Sequence, residues 1–337
     1  AGLVGLALAR ELHRQGWSVT VLDAGEPPAS WAGAGMLAAW QTTHSQLRPL
    51  AISSARLYPT WIAELERETY ISCGYRPGGT MVLQATPPCV DGWQALTDSA
   101  DLEPALRVPA GLKTWLVERD HSVDNRALLT ALRAAVQARG VPIFADCRVL
   151  AIEANGQACR AVAEGRAFAA DTVVNAAGAW ASSIAAPLAI PVRPRKGQML
   201  ALQSSAVAHV IEAPGVYLVP RANGRVLVGA TLEDNGFATG TDAAILEDLR
   251  QRAIALVPAL APAPVIETWS GFRPCASDEL PILGPTACPG YWVAAGHFRD
   301  GILLAPLTAK ILAKAMTTGH MTRALDLTPF SPSRFLG

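Results

Sequence analysis

The hydrophobic positions change their period several times along the chain, and each change predicts an element. In AGLVGLALARELHRQG, residues Leu6, Ala9, Leu12 and His13 fall at helical spacing, predicting a helix to about Gln15 that Gly16 stops. WSVTVLDAG then alternates apolar and polar residues, as a β-strand ending at Asp23 does. GEPPASWAGAGMLAAW is rich in Gly, Ala and Pro and reads as a loop whose small side chains let a flat ligand approach the backbone. Residues 45–70 and part of 91–100 read as helical, and GGTMVLQA near 78–85 as a strand.

SVDNRALLTALRAAVQARG has a full set of helix signals. Asp124 is the expected N-cap, Leu128, Leu129, Leu132 and Val136 keep helical spacing, and Gly140 is the stop. VPIFAD reads as a strand, and VLAIEANGQACRAVAEGRAF as a hairpin turning at Asn155-Gly156. ADTVVNAAGAWASSIA predicts a buried strand, a glycine turn and a helix. Residues 192–232 are β-rich, with GVYLVPRANGRVLVGATL a hairpin tipped by Asn223-Gly224. A helix (AAILEDLRQRAIALVP) and a strand (ETWSGFRPC) follow. GYWVAAGHFRDGILLAPLTAKILAKAM closes the pattern as strand, turn and long helix. Nucleotide-type segments therefore lie at both ends and in the middle, with β-rich material between them, so two intertwined domains are expected.

The opening pattern carries chemistry. Gly2 and Gly5 supply Gly-x-x-Gly, the later part of the Gly-x-Gly-x-x-Gly dinucleotide fingerprint. One glycine of that pattern permits a tight turn, another lets a pyrophosphate approach amides at the helix N-terminus, and the last lets helix and sheet pack closely. Asp23 follows about 20 residues on, where a carboxylate can bind ribose hydroxyls. The pattern predicts a hydrophobic strand and one glycine ahead of Ala1, so the sequence is read as truncated. In a doubly wound sheet the strand end at Asn175 to Trp180 lies near the nucleotide.

Composition narrows the rest. The 337 residues suit two domains, and half are hydrophobic, enough for a sizeable core. Twenty-eight basic and 28 acidic residues balance, which argues against a nucleic-acid partner. The cysteines (Cys73, Cys89, Cys147, Cys159, Cys275, Cys288) form neither Cys-x-x-Cys nor a zinc pattern, so reduced thiols in a cytoplasmic protein and no metal site are expected. No apolar run reaches the roughly 18 residues of a membrane span. Ala7-Leu8-Ala9 resembles a signal-peptide cleavage site, but ARELHRQG continues the same helix instead of starting a polar terminus.

Eight stretches carry a family likeness: AGLVGLALAREL, ASWAGAGMLA, ADTVVNAAGAWA, RPRKGQML, GVYLVPRANGRVLVGAT, WSGFRP, DELPILGP and AAGHFRDGILLAP. In this order the chain resembles the FAD-dependent amine and D-amino-acid oxidase family, and within it the glycine oxidases of bacterial thiamine biosynthesis. The resemblance implies an α/β plus α+β fold. A Rossmann-like FAD-binding domain (1–40, 124–188 and 268–337) is intertwined with a substrate domain (41–123 and 189–267) built on a large antiparallel sheet. It implies that glycine, sarcosine or a small D-amino acid binds beside the flavin and loses its Cα–H as hydride to N5. The imine then hydrolyses to an oxo acid and ammonia, and oxygen regenerates the flavin with release of hydrogen peroxide. A homo-oligomer is implied as well, and the lack of a long apolar run adds the expectation of no membrane partner.

By position, Arg299 is similar to the arginine that clamps the substrate carboxylate, with Arg273 and Tyr217 completing the substrate site. Gly2, Gly5 and Asp23 match the pyrophosphate and ribose site. Ala34, Gly35 and Met36 match the loop beside the isoalloxazine, Val149 an adenine contact, and Gly178 and Trp180 the strand-end loop. Gly296, His297, Gly301, Ile302 and Leu303 match the turn over the pyrimidine end of the flavin. Two positions depart from the pattern: Asp300 stands where relatives often carry Asn, and Leu232 where some carry Met. The alternative readings are a D-amino-acid dehydrogenase with an acceptor other than oxygen, and a flavin-binding protein without turnover.

Overall fold

The computed structural model describes residues 1–154 and 158–335. Its helices are α1 (Leu3–Arg14), α2 (Ala29–Ala32), α3 (Leu47–Ala55), α4 (Tyr58–Thr69), α5 (Asn125–Ala138), α6 (Ala243–Leu256) and α7 (Gly301–Thr318). Helix α1 buries Leu3, Leu6, Ala7, Leu8, Ala9 and Leu12, mostly against α7 and α5. Helix α5 starts where Asp124 Oδ1 accepts from the Arg126 and Ala127 N–H groups, at 3.0 and 3.1 Å. Such a cap satisfies donors that the first turn leaves orphaned.

The remaining nucleotide-side strands are short. Val21–Leu22 pairs in parallel with Ile143–Phe144, and Val173–Asn175 pairs in parallel with Tyr291–Ala295. Val149–Ala154, Cys159–Ala163 and Arg166–Ala170 form an antiparallel sheet. The expected turn at Asn155-Gly156 lies outside the described residues.

Eight strands form the large sheet: β1 (Thr80–Gln84), β2 (Gln94–Leu96), β3 (Lys113–Val117), β4 (Val192–Gln203), β5 (Val210–Ala213), β6 (Val216–Pro220), β7 (Arg225–Gly229) and β8 (Val265–Ala276). Their spatial order is β8-β4-β7-β6-β5-β1-β3-β2, antiparallel except for the β5–β1 pair. Strand alternation gives the sheet two different faces. Leu200, Leu202, Leu218, Val226 and Val228 pack towards α6. Met199, Ala201, Val219, Leu227 and Trp269 pack with Ala32 and Ala34 on the other face.

Three segments differ from the sequence expectations. Part of 91–100 is strand β2, because Gln94, Ala95 and Leu96 pair with β3 and the stretch has no helical apolar face to bury. The helix expected after Asn175 is a six-residue 3₁₀ segment, Gly178–Ser183. The 45–70 stretch is two helices, broken where Pro59 occupies the first turn of α4. Both of them share the core of α1, α5 and α7, so the 41–123 segment divides between the nucleotide side and the large sheet.

Candidate active site

A cavity of about 1430 Å³ runs from the N-terminus of α1, past the strand ends of the nucleotide side, to the inner face of the large sheet. At its first end lie Gly2, Gly5 and Asp23. A Cβ on Gly2 would lie 3.3 Å from Pro28, and one on Gly5 3.5 Å from Ala176, so the glycines keep this wall thin. The Leu3 N–H is taken by Ser30 Oγ at 3.2 Å, and Arg133 holds the Asp23 carboxylate at 2.8 Å. Val149, Gly178 and Trp180 line the cavity too, with Trp180 stacked on Phe237 at 5.3 Å between ring centres.

The middle of the cavity is walled by the 30–36 loop, which side chains from three distant elements hold by its carbonyls. Asn125 donates to the Ser30 and Trp31 carbonyls at 2.8 and 2.9 Å. Trp269 Nε1 donates to the Ala32 carbonyl at 2.9 Å, and Arg221 Nη2 to the Ala34 carbonyl at 2.8 Å. Burial pulls the Arg221 guanidinium down to about 10, which still leaves it charged at neutral pH. Gly35 sits at φ +68°, and a Cβ there would overlap the Val123 carbonyl. Ala34, Gly35 and Met36 thus present backbone and small atoms to the cavity.

The far end is built on alternate positions of the large sheet. Tyr217 faces Gly229 across β6–β7, and a Cβ on Gly229 would lie 2.7 Å from the phenol ring. Gly197 makes the same room for the Arg273 guanidinium, which donates to the Thr231 and Lys196 carbonyls at 3.1 and 3.4 Å. Arg299 enters from the opposite wall. Phe298, just before it, holds φ +47°, a left-handed conformation rare outside glycine, and its N–H bonds the Pro274 carbonyl at 2.7 Å. Strain of this kind persists where surrounding structure enforces it; here it turns Arg299 into the cavity. Among the described residues, neither Arg273 nor Arg299 closes an ion pair. Burial pushes the Tyr217 phenol up, so it stays a neutral donor.

The turn before α7 completes the enclosure. His297, Gly301 and Ile302 line the cavity, while Gly296 and Leu303 do not. Gly296 packs close to Ile282 and Ala276, and Leu303 is buried in the helical core. His297 Nε2 lies 3.2 Å from Thr308 Oγ1, and burial pushes the imidazole down to about 4, which keeps it neutral. Asp300 lines the cavity ahead of α7, and burial raises its carboxyl to about 6 against the pull of Arg299. Pro306 leaves the Ile302 carbonyl without its helical donor. The Tyr58 hydroxyl donates to that carbonyl, and Ser54 Oγ donates to the Leu303 carbonyl at 2.6 Å.

Four residues of the site escaped sequence reasoning: Asn125, Arg221, Trp269 and Glu212. The first three act through loop carbonyls that are distant in sequence. Glu212 was legible, because the two-residue Pro214-Gly215 turn sets the β5–β6 register and places Glu212 opposite Tyr217. Burial pushes its carboxyl up, against the pull of Arg299.

An elongated cavity bounded by glycines at a helix N-terminus, and by a pinned loop of small residues, fits a dinucleotide carrying a flat ring system. Arginines at its far end suit an anionic small molecule, and the whole arrangement fits an oxidoreductase of the flavin-dependent class. Comparison with known sequences agrees: residues 1–315 match the family model described as DAO, FAD dependent oxidoreductase, and the chain belongs to that family.

The chain is 37% identical over 355 residues to the bifunctional protein ThiO/ThiG of Synechocystis sp., covering 99% of this chain and 53% of that protein. It is 32% identical over 362 residues to the glycine oxidase of Geobacillus kaustophilus, covering 100% of this chain and 96% of that one. The crystal structure of glycine oxidase from that organism aligns with a TM-score of 0.92 at 32% identity, covering 100% of this chain and 97% of the other. Iminodiacetate oxidase from Chelativorans sp. BNC1 aligns with a TM-score of 0.88 at 28% identity, over 98% and 97% of the two chains. The chain therefore spans about half the length of its bifunctional relatives and nearly all of the glycine oxidases.

No helix among the described residues is long and apolar enough to cross a membrane, and none of their His, Cys, Asp and Glu side chains cluster as metal ligands would.

Proposed function

We propose that the chain oxidatively deaminates glycine and other small amines (sarcosine, small D-amino acids) to an oxo acid and ammonia, with oxygen reduced to hydrogen peroxide, in thiamine biosynthesis. The observation that carries this reading is the convergence of Arg273, Arg299 and Tyr217 on the cavity end next to the Ala34–Met36 wall. Bound FAD supplies the two-electron acceptor that takes the Cα hydrogen as hydride. Gly2, Gly5 and Asp23 would hold its pyrophosphate and ribose, Val149 its adenine, Gly178 and Trp180 the strand-end loop against it, and Ala34, Gly35, Met36, His297, Gly301 and Ile302 its ring.

The protein's own work is orientation. A guanidinium fork matches a carboxylate bidentately, and the Tyr217 hydroxyl adds a third donor. Holding the substrate by its carboxylate would fix Cα for hydride transfer, which needs an approach of roughly 3–3.5 Å. No side chain has to take a proton from Cα, because the hydrogen leaves with its electron pair. The relatives named glycine oxidase and the ThiO/ThiG protein support the substrate class and the thiamine setting.

Absorbance of the FAD-loaded protein, with glycine added under anaerobic conditions, tests the proposal. Bleaching of the flavin bands by glycine, with recovery and peroxide release in air, is the expected outcome. Bands that persist with glycine and sarcosine alike overturn it.

A further inference from the structure

We propose that Glu212 acts as a charge gate at the substrate end, admitting amines that carry one carboxylate and rejecting those that carry two. The inference rests on the substrate site proposed above and concerns its selectivity. Glu212 lies directly opposite Tyr217 in the β5–β6 pair, and both line the cavity with Arg273 and Arg299. Facing positions of antiparallel strands have Cβ atoms about 4.5–5.5 Å apart, so a carboxylate held at Tyr217 lies close to that of Glu212.

The charges facing this end can be summed. Arg273 comes from β8 and Arg299 from the turn before α7, two positive charges. Glu212 from β5 and Asp300 from the turn before α7 set negative charge against them, and Tyr217 from β6 is neutral. Behind the β5–β1 pair, Asp120 is fully buried, accepts from the Trp40 N–H at 2.8 Å, and has its carboxyl raised by burial to about 7. Glu212 is the carboxylate directly opposite Tyr217, so a second substrate carboxylate placed there meets it. Without Glu212 the same end would be one unit more positive and would suit a dicarboxylate better.

Repulsion between carboxylates a few ångströms apart at a partly buried site is worth roughly tenfold or more in binding. Selectivity of this kind works against the wrong ligand and not only for the right one. Among the described residues Glu212 makes no hydrogen bond and no ion pair that would commit it to a structural task; its charge acts on Arg299, Tyr217 and Asp120.

Sarcosine and N-carboxymethylglycine test the gate, since they differ by one carboxylate on the N-substituent. In the FAD-loaded wild type, kcat/KM is expected to favour sarcosine, and Glu212→Gln should narrow that ratio about tenfold or more. A structural role would move both substrates together, so a ratio that is unchanged, or that widens, overturns the gate. A second arm needs no turnover: acetate and malonate are titrated against the flavin spectrum, and Glu212→Gln should strengthen malonate binding relative to acetate by a similar factor. If no amine reduces the flavin, the proposed activity fails, while the acetate–malonate arm still decides on Glu212. Glu212→Ala repeats both arms should the Gln variant fold poorly.

Discussion

The two ends of the cavity are made of different material. The nucleotide end presents backbone, glycines and alanines, held in place by donors from behind. The substrate end presents long charged and aromatic side chains on one continuous sheet. The first end depends on backbone shape, and the second depends on charge.

Substitutions should separate the two ends cleanly. The largest effect is expected at Gly35, where a side chain meets both the φ of +68° and the Val123 carbonyl. Gly35→Ala should cost about 3 kcal/mol or more in loop strain and empty the flavin site. The ratio of flavin to protein absorbance after purification reads this directly, and a full complement of FAD would contradict the comparison.

Next comes Arg273→Met, which removes a carboxylate partner and leaves the flavin cradle intact. A loss of about 10²–10³-fold in kcat/KM for glycine is expected, with FAD retained. Loss of FAD instead would show that the two ends are not independent.

Asp300 stands beside Arg299 in the turn before α7, and it sharpens the contrast through pH. Its carboxyl is raised to about 6, so the folded protein holds this proton more tightly than the unfolded chain does. The native state therefore binds the extra proton between the ordinary carboxylate range and pH 6, and stability falls across that window as pH rises. Asp300→Asn should melt a few degrees higher than wild type at pH 7.5 and at nearly the same temperature near pH 4. In the loaded protein the same change should raise the flavin potential by on the order of 30 mV, by removing negative charge near the reduced ring. Equal melting shifts at both pH values would rule out the titration.

The smallest effect is a backbone one. Tyr58→Phe strips the Ile302 carbonyl of its donor and should cost about 1–2 kcal/mol. Adding Pro306→Ala restores a helical N–H, so the double variant should recover part of that cost in a denaturant-melt cycle. Additive costs would show that Tyr58 and Pro306 do not share this carbonyl.

Local signals were the most legible. The Asp124 cap, the Asn223-Gly224 turn and the α1 and α7 periodicities each depend on residues within a few positions, and each element forms where its pattern lies. The family motifs also drew Tyr217, Arg273 and Arg299 to one cavity, which spacing alone did not reveal. The loop's supports stayed hidden because an Asn, an Arg and a Trp each hold a carbonyl through a contact that has no local period. The exposed strand β2 was misread for a related reason, since only its partner β3 makes it a strand.

The supports of the 30–36 loop also set the order in which the site matures. Its carbonyls bond partners 94 and 95, 187 and 237 residues further along the chain. As the polypeptide emerges from the ribosome, this loop is made well before the residues that secure it. Until Trp269 has been synthesised and β8 has joined the sheet, the wall that faces the ring has no fixed form. A chain interrupted before Trp269 therefore keeps its glycines and lacks the last support of this wall.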